Sequence, residues 1–256
     1  MNTSPHQSSI ELAARLGVDC GVGDVISTSS LGPSLHEVVL GHASRFAGAP
    51  GNDIMVRLAS SPGHFTRRRY SVRAVDTDRD ALTLWITTSH DGSGSRWATN
   101  ARVGDEVDVV GPRGKITLDH DADWHLFIGD TSGFAAFYRM AQAIETPGRA
   151  IFIVEVDALD DVVTSAFDDA LGVTGIFIDR QGRGPSDPSG VLSALAAFEF
   201  PPDVGHAYLF GEFSVTKAAQ VALVDRGLDQ DRISRKAYWR AGRNNADGGE
   251  PDKSDD

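Results

Sequence analysis

Asp119-His120-Asp121-Ala122-Asp123-Trp124-His125-Leu126-Phe127-Ile128 is the stretch in which the chain changes its hydrophobic rhythm. Trp124–Ile128 is a short apolar run, and Phe134, Phe137, Ala141 and Ile144 then recur at helical spacing. The alternation continues to Asp225: a β-branched run at Ile151–Val156, a helix pattern at Leu159–Leu171, a strand at Gly175–Ile178, a helix at Ser189–Phe198, a strand at Ala207–Phe210 and a helix at Val215–Asp225. Continuous apolar strands alternating with amphipathic helices predict a parallel sheet covered on both faces, with right-handed crossovers.

Upstream of Asp119 the apolar period is two. Leu82, Leu84 and Ile86 share one face, and Val107 and Val109 alternate with Glu106 and Asp108. Strands are expected near Leu35–Gly41, Asp53–Ala59, Arg68–Val75, Ala81–Thr88, Glu106–Val110 and Lys115–Leu118, with a turn or two of helix around Ser95–Ala101. Short strands at close spacing, separated by Gly, Pro, Asp and Ser clusters, suggest an antiparallel β-barrel. The expected organisation is a barrel domain over 10–120, an α/β parallel-sheet nucleotide-binding domain over 121–243 and an acidic tail over 244–256. Ala241–Asp256 has almost nothing apolar to bury, so it is expected to be disordered, as is Met1–Ser9.

Composition limits the chemistry. Of 256 residues, 41% are hydrophobic and 23% charged, which is ordinary for a soluble globular chain. The single cysteine, Cys20, excludes a disulfide scaffold and a cysteine-ligated zinc or iron–sulfur site, and fits a reducing compartment. The net charge of −12 argues against nucleic acid as a partner. No stretch reaches the roughly 18 apolar residues of a membrane span, and the first 20 residues carry no basic region followed by an apolar run. A soluble, cytoplasmic monomer is the expectation.

Three clusters carry candidate chemistry. In Arg67-Arg68-Arg69-Tyr70-Ser71-Val72-Arg73, strand alternation turns Arg69, Ser71 and Arg73 one way and Arg68, Tyr70 and Val72 the other. A guanidinium can hold a pyrophosphate, a serine hydroxyl can add a hydrogen bond, and a tyrosine ring can stack on a flat heteroaromatic. An edge strand guarded by basic residues is the alternative. In His90-Asp91-Gly92-Ser93-Gly94-Ser95-Arg96-Trp97-Ala98, glycines permit close backbone approach and the helix start offers free N–H groups, although a plain loop capped by Ser95 would read the same. Arg232, Arg235, Lys236, Tyr238, Trp239, Arg240 and Arg243 form the basic and aromatic cluster of the acidic second half, which reads either as a rim for an anionic ligand or as a basic C-terminal segment packed by Trp239. Thr131 or Ser132 is expected to cap the helix after Gly129-Asp130, where its N–H groups could face a phosphate or nicotinamide. Glu155 and Asp157, at the end of a strand, suit a ribose hydroxyl and lean toward NADH over NADPH. The remaining histidines are read as surface or strand residues, since none pairs at metal-ligand spacing, and no resident metal is expected.

Taken together, Arg69-Tyr70-Ser71-Val72-Arg73, His90 through Gly94-Ser95-Arg96-Trp97-Ala98, Gly104-Asp105, Gly111-Pro112-Arg113-Gly114, Ala122-Asp123-Trp124, Gly129-Asp130-Thr131, Gly211-Glu212 and Tyr238-Trp239-Arg240-Ala241-Gly242 resemble the siderophore-interacting protein family. The resemblance runs from about Leu35 to Gly242. It implies a ferredoxin–NADP reductase-like fold, with FAD in the barrel, its ring at the interdomain cleft, and NAD(P)H as electron donor. It puts Arg69, Tyr70 and Ser71 on the flavin and its pyrophosphate, and His90, Gly94, Ser95, Trp97 and Ala98 around the diphosphate and adenine end. Where the family commonly has His-Val-Lys-Leu, this chain reads Asp53-Ile54-Met55-Val56-Arg57-Leu58, so Arg57 keeps the positive charge. Arg57, Arg235, Lys236 and Arg240 are the candidate contacts to an anionic ferric siderophore, and no catalytic acid or base is expected, because outer-sphere electron transfer requires none. Two alternatives stay open: a flavin reductase or electron-transfer protein with another acceptor, and a non-catalytic siderophore-binding protein.

Overall fold

Asp19–Ser30 forms β1, a strand that hydrophobic patterning passes over: only Gly23 and Val25 along it are buried. Backbone pairing on both sides holds it, antiparallel to β2 (Leu35–Gly41) and, closing the barrel, to a strand over Glu106–Arg113. In this computed structural model, residues 5–61, 64–89, 92–162 and 172–243 are described. The other barrel strands are β3 (Asp53–Ser61), β4 (His64–Asp76) and β5 (Ala81–Thr87), and Glu106–Arg113 is β6. They close in the order β1-β2-β5-β4-β3-β6. Period-two residues fill the interior, among them Val38, Leu40, Ile54, Val56, Leu58, Val72, Leu82, Leu84 and Val109.

Three expectations are corrected. Pro5–Leu16 is a helix, α1, so Pro5–Ser9 belongs to its first turns. Its buried Ser9 and Ala13 lie one turn apart, and the Ser9 hydroxyl donates to Asp108 on β6 at 2.8 Å, which ties the helix down despite its polar sequence. Lys115–Leu118 is not a strand; β6 ends at Arg113 and the chain turns away through Gly114 at φ +104°. The helix expected over Leu159–Leu171 begins as a single 3₁₀ turn at Leu159–Asp161, and residues 163–171 lie outside the described residues, as do residues 1–4 and the tail over 244–256. Ser93–Asn100 forms α2, close to the expected position.

The second unit is a sheet of β7 (Trp124–Asp130), β8 (Ala150–Val156), β9 (Thr174–Asp179), β10 (Gly205–Glu212) and β11 (Ile233–Trp239), all parallel. Helices α3 (Phe134–Gln142), α4 (Ser189–Ala197) and α5 (Phe213–Asp225) connect them. Every residue of β7, β8 and β10 is buried, which explains their unbroken apolar runs. The order β11-β10-β7-β8-β9 reverses direction between β7 and β10, the position where a doubly wound sheet opens a crevice at its carboxyl edge. Among the described residues, those within 5–30 and 36–115 group in one compact unit, and those within 31–35 and 116–243 in the other. No described helix is long and apolar enough to cross a membrane.

Candidate functional site

On β4 the alternation expected for Arg67–Arg73 holds. Val72 is in the barrel core and Tyr70 packs against that core, while Arg69 meets the carboxylate of Asp53 across the β3–β4 pair. Arg69 Nε donates to Asp53 Oδ1 at 2.9 Å and Nη2 to Oδ2 at 2.7 Å, and Asp53 is only 2% exposed. Ser71 is buried opposite Asp53 in the ladder. Arg73 lies over the Trp85 ring at 4.7 Å.

Tyr70 and Trp97 come together with ring centroids 5.6 Å apart. The Tyr70 hydroxyl is buried and makes no hydrogen bond among the described residues, and burial pushes its pKa up. The Ser93 hydroxyl, in the first turn of α2, is likewise buried without a partner. Gly94 follows Ser93 in the chain, and a Cβ there would come within 2.7 Å of Tyr70 Oη. Gly92 precedes the helix with extended backbone and caps it with no side chain. Two orphaned hydroxyls cost about 1–3 kcal/mol each unless something supplies acceptors, and uncapped N–H groups at a helix start attract anions. The donor set therefore fits a ligand with phosphate and heteroaromatic parts. Ser95 turns elsewhere, donating to Thr87 O at 3.3 Å, and the Ala98 methyl is fully buried in the barrel core. His90 lies outside the described residues. Sequence reasoning missed Asp53 and Ser93; both stand inside or beside quoted motifs, but only cross-strand register and atomic burial single them out.

At the carboxyl edge of the sheet the helix cap is neither Thr131 nor Ser132. Asp130 Oδ1 accepts from Ser132 N at 2.9 Å and from Ser132 Oγ at 2.5 Å, and the buried Thr131 sits in the 3₁₀ turn Thr131–Gly133 that leads into α3. An aspartate side chain reaches back over such a turn from the preceding residue, which leaves Thr131 inside it. Asp130 Oδ2 accepts from Glu212 N at 2.8 Å and from Trp239 Nε1 at 3.1 Å, and burial raises its pKa. Gly211, at φ +149°, is needed here because a Cβ would stand 2.6 Å from Asp130 Oδ2.

The acids on and beyond β8 are already paired. Glu155, 1% exposed, accepts from Arg180 Nε at 3.2 Å and Arg183 Nη2 at 2.9 Å, and Asp157 pairs with Arg180 Nη1. Arg183 Nε is buried without a partner among the described residues. In the basic cluster, the Arg235 and Arg240 guanidinium groups lie 5.6 and 4.5 Å from the centre of the Phe213 ring, and Lys236 Nζ is 5.2 Å from that of Tyr238. Arg57 is elsewhere, on the barrel: it stacks on Phe65 at 3.6 Å and comes 3.9 Å from Asp108.

With this geometry in hand, the family comparison is decisive. A profile of the siderophore-interacting FAD-binding domain matches residues 56–116, and the siderophore-interacting protein profile matches residues 122–242. The chain belongs to the siderophore-interacting protein family. A siderophore utilization protein from T. fusca of known crystal structure is 25% identical, with a TM-score of 0.77 over 90% of this chain and 95% of that one. An NADPH-dependent ferric-chelate reductase of Escherichia coli K12 is 31% identical over 59% of this chain and 58% of its own length. The ferric vibriobactin reductase ViuB of Vibrio cholerae is 25% identical over 69% of this chain and 65% of its length. The chain thus spans a little under two thirds of those two curated relatives. A ferredoxin NADP+ reductase from Neisseria gonorrhoeae, with a TM-score of 0.65 at 16% identity, shares the fold. In this siderophore-interacting protein the barrel residues around Tyr70 and Trp97 fall within the FAD-binding profile, while Asp130, Glu212 and the basic cluster fall within the second profile.

Proposed function

We propose that this protein is a cytoplasmic, FAD-dependent reductase that takes electrons from NAD(P)H and passes them to a ferric siderophore, releasing iron. The observation that carries this reading is the pair of buried hydroxyls, Tyr70 and Ser93, without partners among the described residues, at a helix start where Gly94 approaches Tyr70 and no side chain caps the helix. Bound there, FAD would supply the conversion of one hydride into a proton, released to solvent, and two single electrons, one for each of two ferric ions. The chain's own residues bind and orient. Tyr70 and Ser93 donate hydrogen bonds, Trp97 and Tyr70 offer aromatic surface, and Gly94, Ser95 and Ala98 contribute backbone at the start of α2. Arg69 and Ser71 act on the pyrophosphate side, with Asp53 fixing the Arg69 guanidinium. Thr131 lies on the nicotinamide side.

The donor end favours NADPH. Free acids at the end of β8 would repel a 2′-phosphate, but Glu155 and Asp157 are neutralised by Arg180 and Arg183. Arg183, held on Glu155 through Nη2, is the candidate cation for that phosphate.

For the substrate, Arg235, Lys236 and Arg240 supply positive charge against the chain's overall −12. Arg57 is engaged with Asp108 and Phe65, so its charge serves the barrel first. Divalent iron binds anionic oxygen donors far less tightly than ferric iron and lies low in the divalent affinity order, so reduction frees the metal without destroying the chelator.

The test is steady-state turnover of the FAD-reconstituted protein with NADPH, scored by ferrous-iron formation from ferric siderophores against turnover of ferredoxin and quinones. Preference for the ferric chelates supports the reading; faster turnover of another acceptor replaces it, and protein that binds chelate but no flavin sinks it.

A further inference from the structure

Two carboxylates at the carboxyl edge of the sheet are buried, and among the described residues neither forms a salt bridge. Asp130 is 6% exposed and Glu212 is 1% exposed. Neutral groups donate to them: Ser132 N, Ser132 Oγ, Glu212 N and Trp239 Nε1 to Asp130, and Ser214 N, Val215 N and Ala241 N to Glu212. Burying a carboxylate is expensive, and the fold compensates here with backbone N–H groups, one serine hydroxyl and one indole. Capping explains only half of this. Oδ1 of Asp130 closes the 3₁₀ turn Thr131–Gly133 that leads into α3, and Oε2 of Glu212 closes the start of α5. Their other oxygens reach the chain that follows β11: Asp130 Oδ2 holds the Trp239 indole at 3.1 Å, and Glu212 Oε1 holds the Ala241 amide at 3.1 Å.

The residue between those two tethers is Arg240. Its carbonyl accepts from Arg243 N at 3.1 Å, closing a turn through Gly242 at φ +73°. Its exposed side chain lies over the Phe213 ring, and Phe213 follows Glu212 directly at the start of α5. An exposed arginine normally spreads its charge over many rotamers. Here the backbone is pinned one residue before and one residue after, and the stem is steered by a ring attached to the same anchor.

We propose that Asp130 and Glu212 are positioning residues for Arg240: paired buried carboxylates that pin the chain on both sides of a guanidinium so that its charge is presented to the anionic chelate in a fixed place. This rests on the proposed role of Arg240 in chelate binding. The carboxylates touch neither chelate nor flavin in this account, and they act through the main chain.

The experiment uses the FAD-reconstituted full chain with NADPH and two acceptors: ferric citrate, which is anionic, and p-benzoquinone, which is neutral. Trp239→Phe removes the indole donor and keeps a ring. Glu212→Gln turns one of the Glu212 acceptor sites into a donor, so that either the helix cap or the Ala241 bond is lost. Each is expected to raise KM for ferric citrate about threefold at low salt, and the double variant about tenfold, matching Arg240→Ala, as befits the loss of one well-placed surface charge. Adding Arg240→Ala to the double variant then changes nothing more. The kcat with p-benzoquinone and the flavin content stay at the parent values, which a general loosening of the sheet edge would not allow. The proposal is overturned if Arg240→Ala raises KM for ferric citrate and the double variant leaves it unchanged, or if the double variant lowers kcat with both acceptors alike. If Glu212→Gln does not fold, Trp239→Phe decides alone by the same two measurements. Should Arg240→Ala itself leave KM unchanged, the substrate reading beneath the proposal fails, and the proposal with it.

Discussion

The guanidinium of Arg69 lies side-on against the carboxylate of Asp53, with two hydrogen bonds of 2.9 and 2.7 Å across the β3–β4 ladder. A residue whose sequence context points to a phosphate is thus first the partner of an acid that is 2% exposed. Fork-to-carboxylate pairing fixes the plane and direction of the guanidinium, the pre-organisation a pyrophosphate contact would need.

Arg69→Ala consequently takes two charge-assisted hydrogen bonds from a buried carboxylate as well as removing a cation. Loss of one partner of such a pair costs about 3–5 kcal/mol, so thermal or urea unfolding of the ligand-free protein is expected to show a strongly destabilised barrel. The double variant Asp53→Asn/Arg69→Ala regains most of that stability while still binding FAD weakly. A double variant with parental FAD affinity would remove Arg69 from the cofactor site.

Tyr70→Phe should have opposite effects on the two states of the protein. Removing an unpartnered buried hydroxyl relieves roughly 1 kcal/mol of desolvation in the ligand-free chain and forfeits a bond of about the same size to FAD. A raised Tm without FAD, together with a Kd for FAD about fivefold weaker by titration, is the expected pattern. A lowered Tm with unchanged FAD affinity would mean that the hydroxyl has a partner within the protein.

Arg183→Ala should discriminate between electron donors. Loss of a charge-assisted contact to a 2′-phosphate is expected to raise KM for NADPH about tenfold and leave that for NADH near the parent value. Arg180 remains paired with Glu155. Equal changes for both donors would return the site to a purely structural role.

Protonation of His125 opposes folding. Burial lowers its pKa from 6.5 to about 4, so below pH 6.5 the unfolded chain takes up a proton that the folded one refuses. The unfolded state then binds more protons, and stability falls as pH drops from about 6.5 toward about 4. His125→Gln should flatten that part of the urea-unfolding profile. An unchanged slope would show that another group sets the acid limit.

The two-part architecture was legible because both halves bury their strands in ways that leave a periodic record. Ile54, Val56 and Leu58 alternate into the barrel, and β7, β8 and β10 are buried on both faces. Segments stabilised by something other than apolar burial left no such record. The barrel strand at Asp19–Ser30 is held by ladders to two neighbours, and the helix at Pro5–Leu16 is docked by a serine on Asp108. The edge strand Ile233–Trp239 has only one fully buried residue, so its basic composition dominated its reading.

By itself the sequence determined which residue types stand at each edge: an Arg-Tyr-Ser strand, a Gly-Ser helix start, an acid after the first parallel strand, and a basic aromatic close. Those are local properties, set by propensity and by a hydrophobic period that neighbouring residues share. Which charge meets which was decided only by tertiary structure. Arg69 faces Asp53, Arg180 and Arg183 face Glu155, and Asp130 reaches Trp239, from 109 positions away in the chain. Electrostatic and hydrogen-bonding partners are chosen by distance in space, and strand register and crossover connections set that distance, whereas a linear pattern records only what each residue does to its own segment.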